Sequence, residues 1–221
     1  MEKQRAKARR LVDLRRRAPK REPYDVVLIV CEGERTEVGY LKGLRNALHL
    51  SSANIEVVPS GRGTDLVSVV RLALDRTRNE GVYDRVYCVF DRDRHANYTQ
   101  ALANLRRAKV KGATLHAGVT NPCFEFWILL RFEYTARPYA GAGLRSPCNM
   151  VIDDLRRHLP GYAKNDPQVF ERLEGLLGDA IRHGTRLTEE NRLTRNENPH
   201  TSVHELVDYL TKLNATSAPL S

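Results

Sequence analysis

The stretch VVLIVCEGERTEVGYL, residues 26–41, decides the fold. Five aliphatic residues and a cysteine run unbroken into Glu32 and Gly33. β-Branched residues dominate the run, so it reads as a strand buried on both faces. Gly33 lets the backbone turn sharply and approach a ligand closely. From Glu37 to Leu48, Tyr40, Leu41, Leu44, Ala47 and Leu48 fall at the three-and-four spacing of a helix face. A buried strand aimed at a carboxylate, followed at once by a helix, is a unit whose polar end is built for chemistry. The helix N-terminus points at the same crevice and favours phosphate.

Working outward, the pattern repeats. Ile55–Val58 reads as a short strand and Gly61-Arg62-Gly63 as a turn. Thr64 or Asp65 caps a helix carrying Leu66, Val69, Val70 and Ala73, which Gly81 stops. Arg85–Phe90 is a third strand ending at Asp91, Tyr98–Val110 a helix, and Ala113–Val119 a fourth strand. This alternation predicts an α/β fold: a doubly wound, parallel, four-stranded sheet. Flavodoxin-like order, 2-1-3-4, makes strands one and three neighbours. From Pro122 the pattern changes. CFEFWILLRF reads as a buried helix, 133–147 as a loop, and 168–183 and 203–213 as amphipathic helices. Ser202 with Glu205 matches a capping box, and no further strand is evident. The expected division is a basic arm at 1–22, an α/β core at 23–120, and a mainly helical region at 121–221.

The chain of 221 residues carries a net charge of +9. Residues 1–22 hold ten Lys/Arg against three acids, or +7, so the remaining residues are near +2. Such an arm raises affinity for phosphate backbones without sequence specificity. No apolar run approaches the roughly 20 residues of a membrane span, and the N-terminus lacks a secretory core. A cytoplasmic location is the expectation. Cys31 and Cys88 sit in strand-like runs and read as buried free thiols, and no C-x-x-C occurs. Phosphate-loop, H-E-x-x-H and G-x-S-x-G motifs are also missing.

In a sheet of this order ligands bind beyond the carboxyl ends of the strands. Glu32 ends strand one, and Asp91 and Asp93 end strand three. Carboxylates gathered there repel one another unless a hard cation intervenes. Mg²⁺, or Mn²⁺ in its place, is the expected cofactor at Glu32, Asp91 and Asp93. Glu37 is either a helix-dipole complement or a site residue. Glu125, in an apolar helix, either completes the site or pairs with a core arginine. Arg92, Arg94 and His95 either bind phosphate or stabilise developing charge, or are solvated neighbours of the carboxylates, and Tyr162 and Lys164 lie in a loop, LPGYAKND, able to close over substrate. Trp127 reads as core, and Asn198-Pro199-His200 as a structural turn.

CEGERTEVGYLKGL followed by VFDRDRH resembles the Toprim motif pair, a Glu-Gly after strand one and an Asp-x-Asp after strand three. Together with NPCFEFWILLRF and NPHTSVHELVDYL, these blocks resemble the RloB-like family, which includes the second component of the AbiL phage-defence system. The resemblance runs from about residue 26 to 213. It implies Mg²⁺-dependent phosphodiester chemistry with Glu32, Asp91 and Asp93 as metal carboxylates. Gly33 matches the Toprim glycine, Glu37 the family's TE, and Asn121, Pro122, Glu125 and Trp127 its NPxFExW block. Arg131 stands where the family pattern carries a histidine, and an arginine there can hold phosphate. The resemblance further implies a nuclease effector of phage defence and abortive infection. Its expected partners are nucleic acid, RNA (tRNA first) before DNA, and a separately encoded ATPase of AAA or ABC type. An oligomer is compatible with this expectation, and a membrane partner is not expected. The alternative expectation is a non-catalytic module that binds Mg²⁺-nucleotide or nucleic acid and regulates the ATPase.

Overall fold

The computed structural model describes residues 25–52, 54–61, 65–92, 95–141, 143–166, 169–173 and 175–217. The basic arm, the Arg62-Gly63-Thr64 part of the second turn, and Asp93 and Arg94 lie outside the described residues.

The strands are β1 (Val27–Cys31), β2 (Ile55–Pro59), β3 (Arg85–Asp91), β4 (Thr114–Asn121) and β5 (His200–Thr201). They form one sheet in the order β2-β1-β3-β4-β5. β1 pairs parallel with both β2 and β3, and β3 with β4, as the alternation predicts. Val27, Ile29 and Cys31 pack on one face with Tyr40, Leu41 and Phe126. Leu28 and Val30 pack on the other with Leu66, Val69 and Phe90. This period of two, apolar on both faces, accounts for a run at 26–31 that holds no polar residue.

Among the described residues the sheet has five strands rather than the four expected. β5 lies antiparallel to β4, Thr120 opposite Thr201 and Asn121 opposite His200. Two residues carry no readable periodicity, and the strand is held instead by its neighbour. The Ser202 hydroxyl accepts from the Val119 N–H at 2.9 Å and donates to the Ala117 carbonyl at 3.0 Å. The side chain expected to cap a helix therefore extends the ladder to β4.

Helices α1 (Thr36–Ala47), α2 (Leu66–Glu80) and α3 (Tyr98–Arg107) wind the core. Asp65 caps α2 by accepting from the Val67 N–H, and Gly81 ends it at φ 61°. Beyond β4 come α4 (Glu125–Leu129), α5 (Pro147–His158), α6 (Leu177–Thr194) and α7 (Val203–Ser217). Two expectations shift here. The helix placed at 168–183 is a short 3₁₀ turn, Glu171–Leu173, followed by α6 from 177. Gly175, at φ 86°, separates them. The segment read as loop up to 147 gives way to α5, whose start combines a Ser146 side-chain cap on the Asn149 N–H with a proline in the first turn. Among the described residues no helix is long and apolar enough to cross a membrane.

Arg131 lies in the core, 2 % exposed. It donates to the Leu173 carbonyl and, at 2.7 Å, to the Tyr40 hydroxyl. Its guanidinium also lies over the Tyr40 and Phe170 rings. The arginine thus pins segment 169–173 to α1.

Ser202→Ala is expected to lower stability by about 1–3 kcal/mol, because the Val119 N–H and Ala117 carbonyl lose their partner. Chemical denaturation checks this, and an unchanged midpoint would mean that β5 is not held by this hydroxyl.

Candidate functional site

The parallel ladder carries the carboxyl ends of β1 and β3 to the same end of the sheet, where the Glu32 N–H donates to the Val89 carbonyl at 2.8 Å. The chain then turns at Gly33 into α1. One Glu32 carboxylate oxygen accepts from the Asp91 N–H at 3.2 Å, and the other lies 3.0 Å from His95 Nε2. Glu32 therefore ties the two strand ends together through its side chain as well as its backbone.

A cavity of about 400 Å³ opens over this junction. Glu32, Glu37, Asp91 and Glu125 line it, with His95 and Lys164. Glu37 reaches it from the first turn of α1 and is 8 % exposed. Its carboxylate lies directly over Gly33, where an added Cβ would fall 1.9 Å from Glu37 Oε2. Any side chain at 33 displaces that carboxylate, a second reason for glycine beyond the turn itself. Glu125 opens α4 and is 1 % exposed. The Tyr162 hydroxyl donates to its Oε1 at 3.1 Å, and Cys148 Sγ lies 3.5 Å from its Oε2.

Lys164 and Tyr162 arrive on the segment after α5. The Asn165 N–H donates to Thr36 Oγ1 at 2.9 Å, and Arg156 Nε donates to the Tyr162 carbonyl at 3.1 Å. The loop is thereby fastened to the start of α1 on one side and to α5 on the other. Beneath it, Cys123 and Cys148 form a disulfide that joins the end of β4 to the first turn of α5.

Burial and crowding act on two of the carboxyl groups in this cavity, Asp91 and Glu37. Burial, then the charges of Glu37, Glu125 and Glu32, hold Asp91 well above the ordinary carboxylate range. Burial, with Glu125 and Glu32 adding repulsion, pushes Glu37 up to about 7. Lys164 pulls both in the opposite direction.

The structure thus brings Glu32, Gly33, Glu37, Asp91, His95, Glu125 and Lys164 to one cavity. Glu125 faces that cavity rather than a core arginine. Arg92 does not line it, and pairs instead with Glu197 while lying over the Tyr98 ring. Arg131 does not reach it either, since its partners are the core groups named above. Asn198 exchanges two hydrogen bonds with the Tyr139 backbone, as a structural turn would. Trp127 is fully buried core. Sequence reasoning missed the Cys123–Cys148 bond, which no spacing announces across 25 residues. Among the described residues, Cys123, Glu125 and Cys148 also form a group whose ligand atoms all lie within 4.8 Å of one another.

Fold and site together define an α/β protein with an acidic cavity at the point where strand order reverses. The family model described as RloB-like protein matches residues 27–210, and the chain belongs to that family. Comparison with curated proteins and with solved structures gives no match.

The raised Glu37 carboxyl sets a direction for stability. Folding favours its protonated form, so its contribution is complete below the ordinary carboxylate pKa and is lost as pH rises through about 7. Without added cations, the wild type should lose more stability than Glu37→Gln between about pH 5 and pH 8, by up to the order of 3 kcal/mol. Urea unfolding at the two pH values measures this, and parallel losses in both proteins would contradict it.

Proposed function

We propose that this chain is a metal-dependent phosphodiesterase of Toprim type, a nuclease that serves as the effector of a phage-defence system with a separately encoded ATPase. RNA, tRNA foremost, is the first substrate and DNA the second. The observation that carries the reading is the convergence of Glu32, Glu37, Asp91 and Glu125 on one cavity, where burial and mutual repulsion raise the pKa of Glu37 and Asp91.

Oxygen donors of this kind suit a hard divalent cation such as Mg²⁺ or Mn²⁺. Glu32 and Asp91 would hold it, with Asp93 following Asp91 in the chain. When bound, the cation supplies Lewis acidity toward a phosphate oxygen and lowers the pKa of a water. The chain's own groups divide the remaining work. Lys164 Nζ offers a positive charge for a phosphate oxygen. His95 Nε2, fixed by Glu32, is placed to hold or release a proton at the cavity wall. Thr36 and Glu37, in the first turn of α1, line the same space, where a helix N-terminus favours a phosphate. Family membership and the +7 arm at residues 1–22 support nucleic acid as substrate.

The test is cleavage of total tRNA and of DNA with Mg²⁺ or Mn²⁺, alone and with the partner ATPase, for wild type and Asp91→Asn. Metal-dependent cutting reduced by about 10²-fold or more in the variant is the expected result. Mg²⁺-nucleotide uptake with no cutting under any condition would replace the enzyme with a regulatory binding module.

A further inference from the structure

We infer that Cys123, Cys148 and Glu125 form a Zn²⁺ site when the Cys123–Cys148 disulfide is reduced. This site goes beyond the proposed nuclease function and does not depend on it.

Glu125 is the first sign. Its Oε1 accepts from the Tyr162 hydroxyl, but its Oε2 faces Cys148 Sγ. A disulfide sulfur has no proton to give, so in that form a carboxylate oxygen on a residue 1 % exposed faces sulfur instead of a donor. Buried carboxylate oxygens are costly without a donor or a cation.

Distance is the second sign. The Cys148 Sγ to Glu125 Oε2 separation is 3.5 Å. A tetrahedral zinc with bonds of about 2.3 Å to sulfur and about 2.0 Å to oxygen sets a sulfur–oxygen edge of about 3.5 Å. Two thiolates on the same ion lie about 3.8 Å apart by the same geometry. The two cysteine Cα atoms are 5.6 Å apart, so side-chain rotation alone can part the sulfurs to that distance. All three ligand atoms already lie within 4.8 Å of one another.

Charge and rigidity agree. Two thiolates and a carboxylate around Zn²⁺ leave one net negative charge, and Lys164 Nζ stands 3.7 Å from Cys148 Sγ to meet it. Cys123 and Glu125 flank the start of α4, and Cys148 lies in the first turn of α5. Sulfur ligands select zinc over Mg²⁺, whereas the oxygen-only side of the cavity does the reverse. Glu125 belongs to both sets, so zinc at the thiolates withdraws it from the carboxylate cavity.

The chemistry balances. A dithiol reductant gives two electrons and two protons to the Cys123–Cys148 bond and becomes a cyclic disulfide. The two thiols release those protons as Zn²⁺ binds, and reoxidation by a disulfide expels the metal.

Full-length chain, reduced with dithiothreitol and freed of it under anaerobic conditions, should be titrated with ZnCl₂ against a chromophoric chelator. The disulfide form is titrated in parallel, and Co²⁺ replaces Zn²⁺ in a second series. The reduced wild type should bind one tight Zn²⁺ that the disulfide form does not, and its Co²⁺ complex should show a thiolate-to-cobalt charge-transfer band. Cys148→Ser, checked for fold by circular dichroism, should lose affinity by about 100-fold or more. Equal binding by the two redox forms, or Co²⁺ bound without that band, would place the metal on carboxylates alone and overturn the inference. Absence of tight binding in the reduced form would overturn it as well. Cleavage activity enters none of these readings, so the nuclease proposal stands or falls separately.

Discussion

Like-charge repulsion at the ends of β1 and β3 is the constraint on which the rest of the structure depends. The apolar run of β1, buried on both faces, pairs parallel with β3, and that register brings Glu32 close to Asp91. Carboxylates so placed would spread apart if the chain allowed it. They are kept together because the Glu32 N–H is committed to the Val89 carbonyl and the Asp91 N–H to the Glu32 side chain. Backbone hydrogen bonding, supported by a core buried on both faces of the sheet, holds a charge arrangement that is unfavourable by itself. The cost appears in the titration of Glu37 and Asp91, which keep their protons far longer than exposed carboxyls do. Storing unfavourable electrostatics in a rigid frame is how a site gains affinity for an ion that cancels them.

The helical region closes the site from the side the sheet leaves open. Its contribution is a set of fastenings around one wall of the cavity. Tyr162 grips Glu125, Asn165 grips Thr36, and the disulfide draws α5 to the end of β4. Farther out, Arg131 secures segment 169–173 with a buried charge whose hydrogen-bond partners are a carbonyl and a phenol. Arg131 is therefore tied to packing around α1, and phosphate in the cavity lies outside its reach.

What was legible in the sequence was what local patterning determines. The unbroken apolar run along residues 26–31, the carboxylates that end two strands, and the glycine between strand and helix are local signals that mark strands and a polar site. The order β2-β1-β3-β4, which sets Glu32 near Asp91, came from the flavodoxin-like pattern of alternating strands and helices. Glu125 was legible as an anomaly, a carboxylate among aromatics, although its partner Tyr162 lies 37 residues away. Tertiary partnerships without a periodic signature were not legible. Two residues of β5 say nothing alone, and Ser202 looks like a helix cap until β4 is beside it. The side chain of Arg131 turns inward because Tyr40 and the Leu173 carbonyl are there to receive it, and neither fact is local. Gly175 broke a helix whose apolar spacing ran on across it, because spacing reports a face and not the backbone angle that ends it.

The most direct test of the central claim, that the acidic cavity is a divalent-cation site, is a crystal of the chain grown with Mn²⁺ and measured at the manganese absorption edge. The account predicts one or more anomalous peaks in the cavity bounded by Glu32 and Asp91, lost in crystals of Asp91→Asn. A well-ordered cavity holding no anomalous scatterer at saturating Mn²⁺ and pH 8, with the carboxylates still converged, would contradict it.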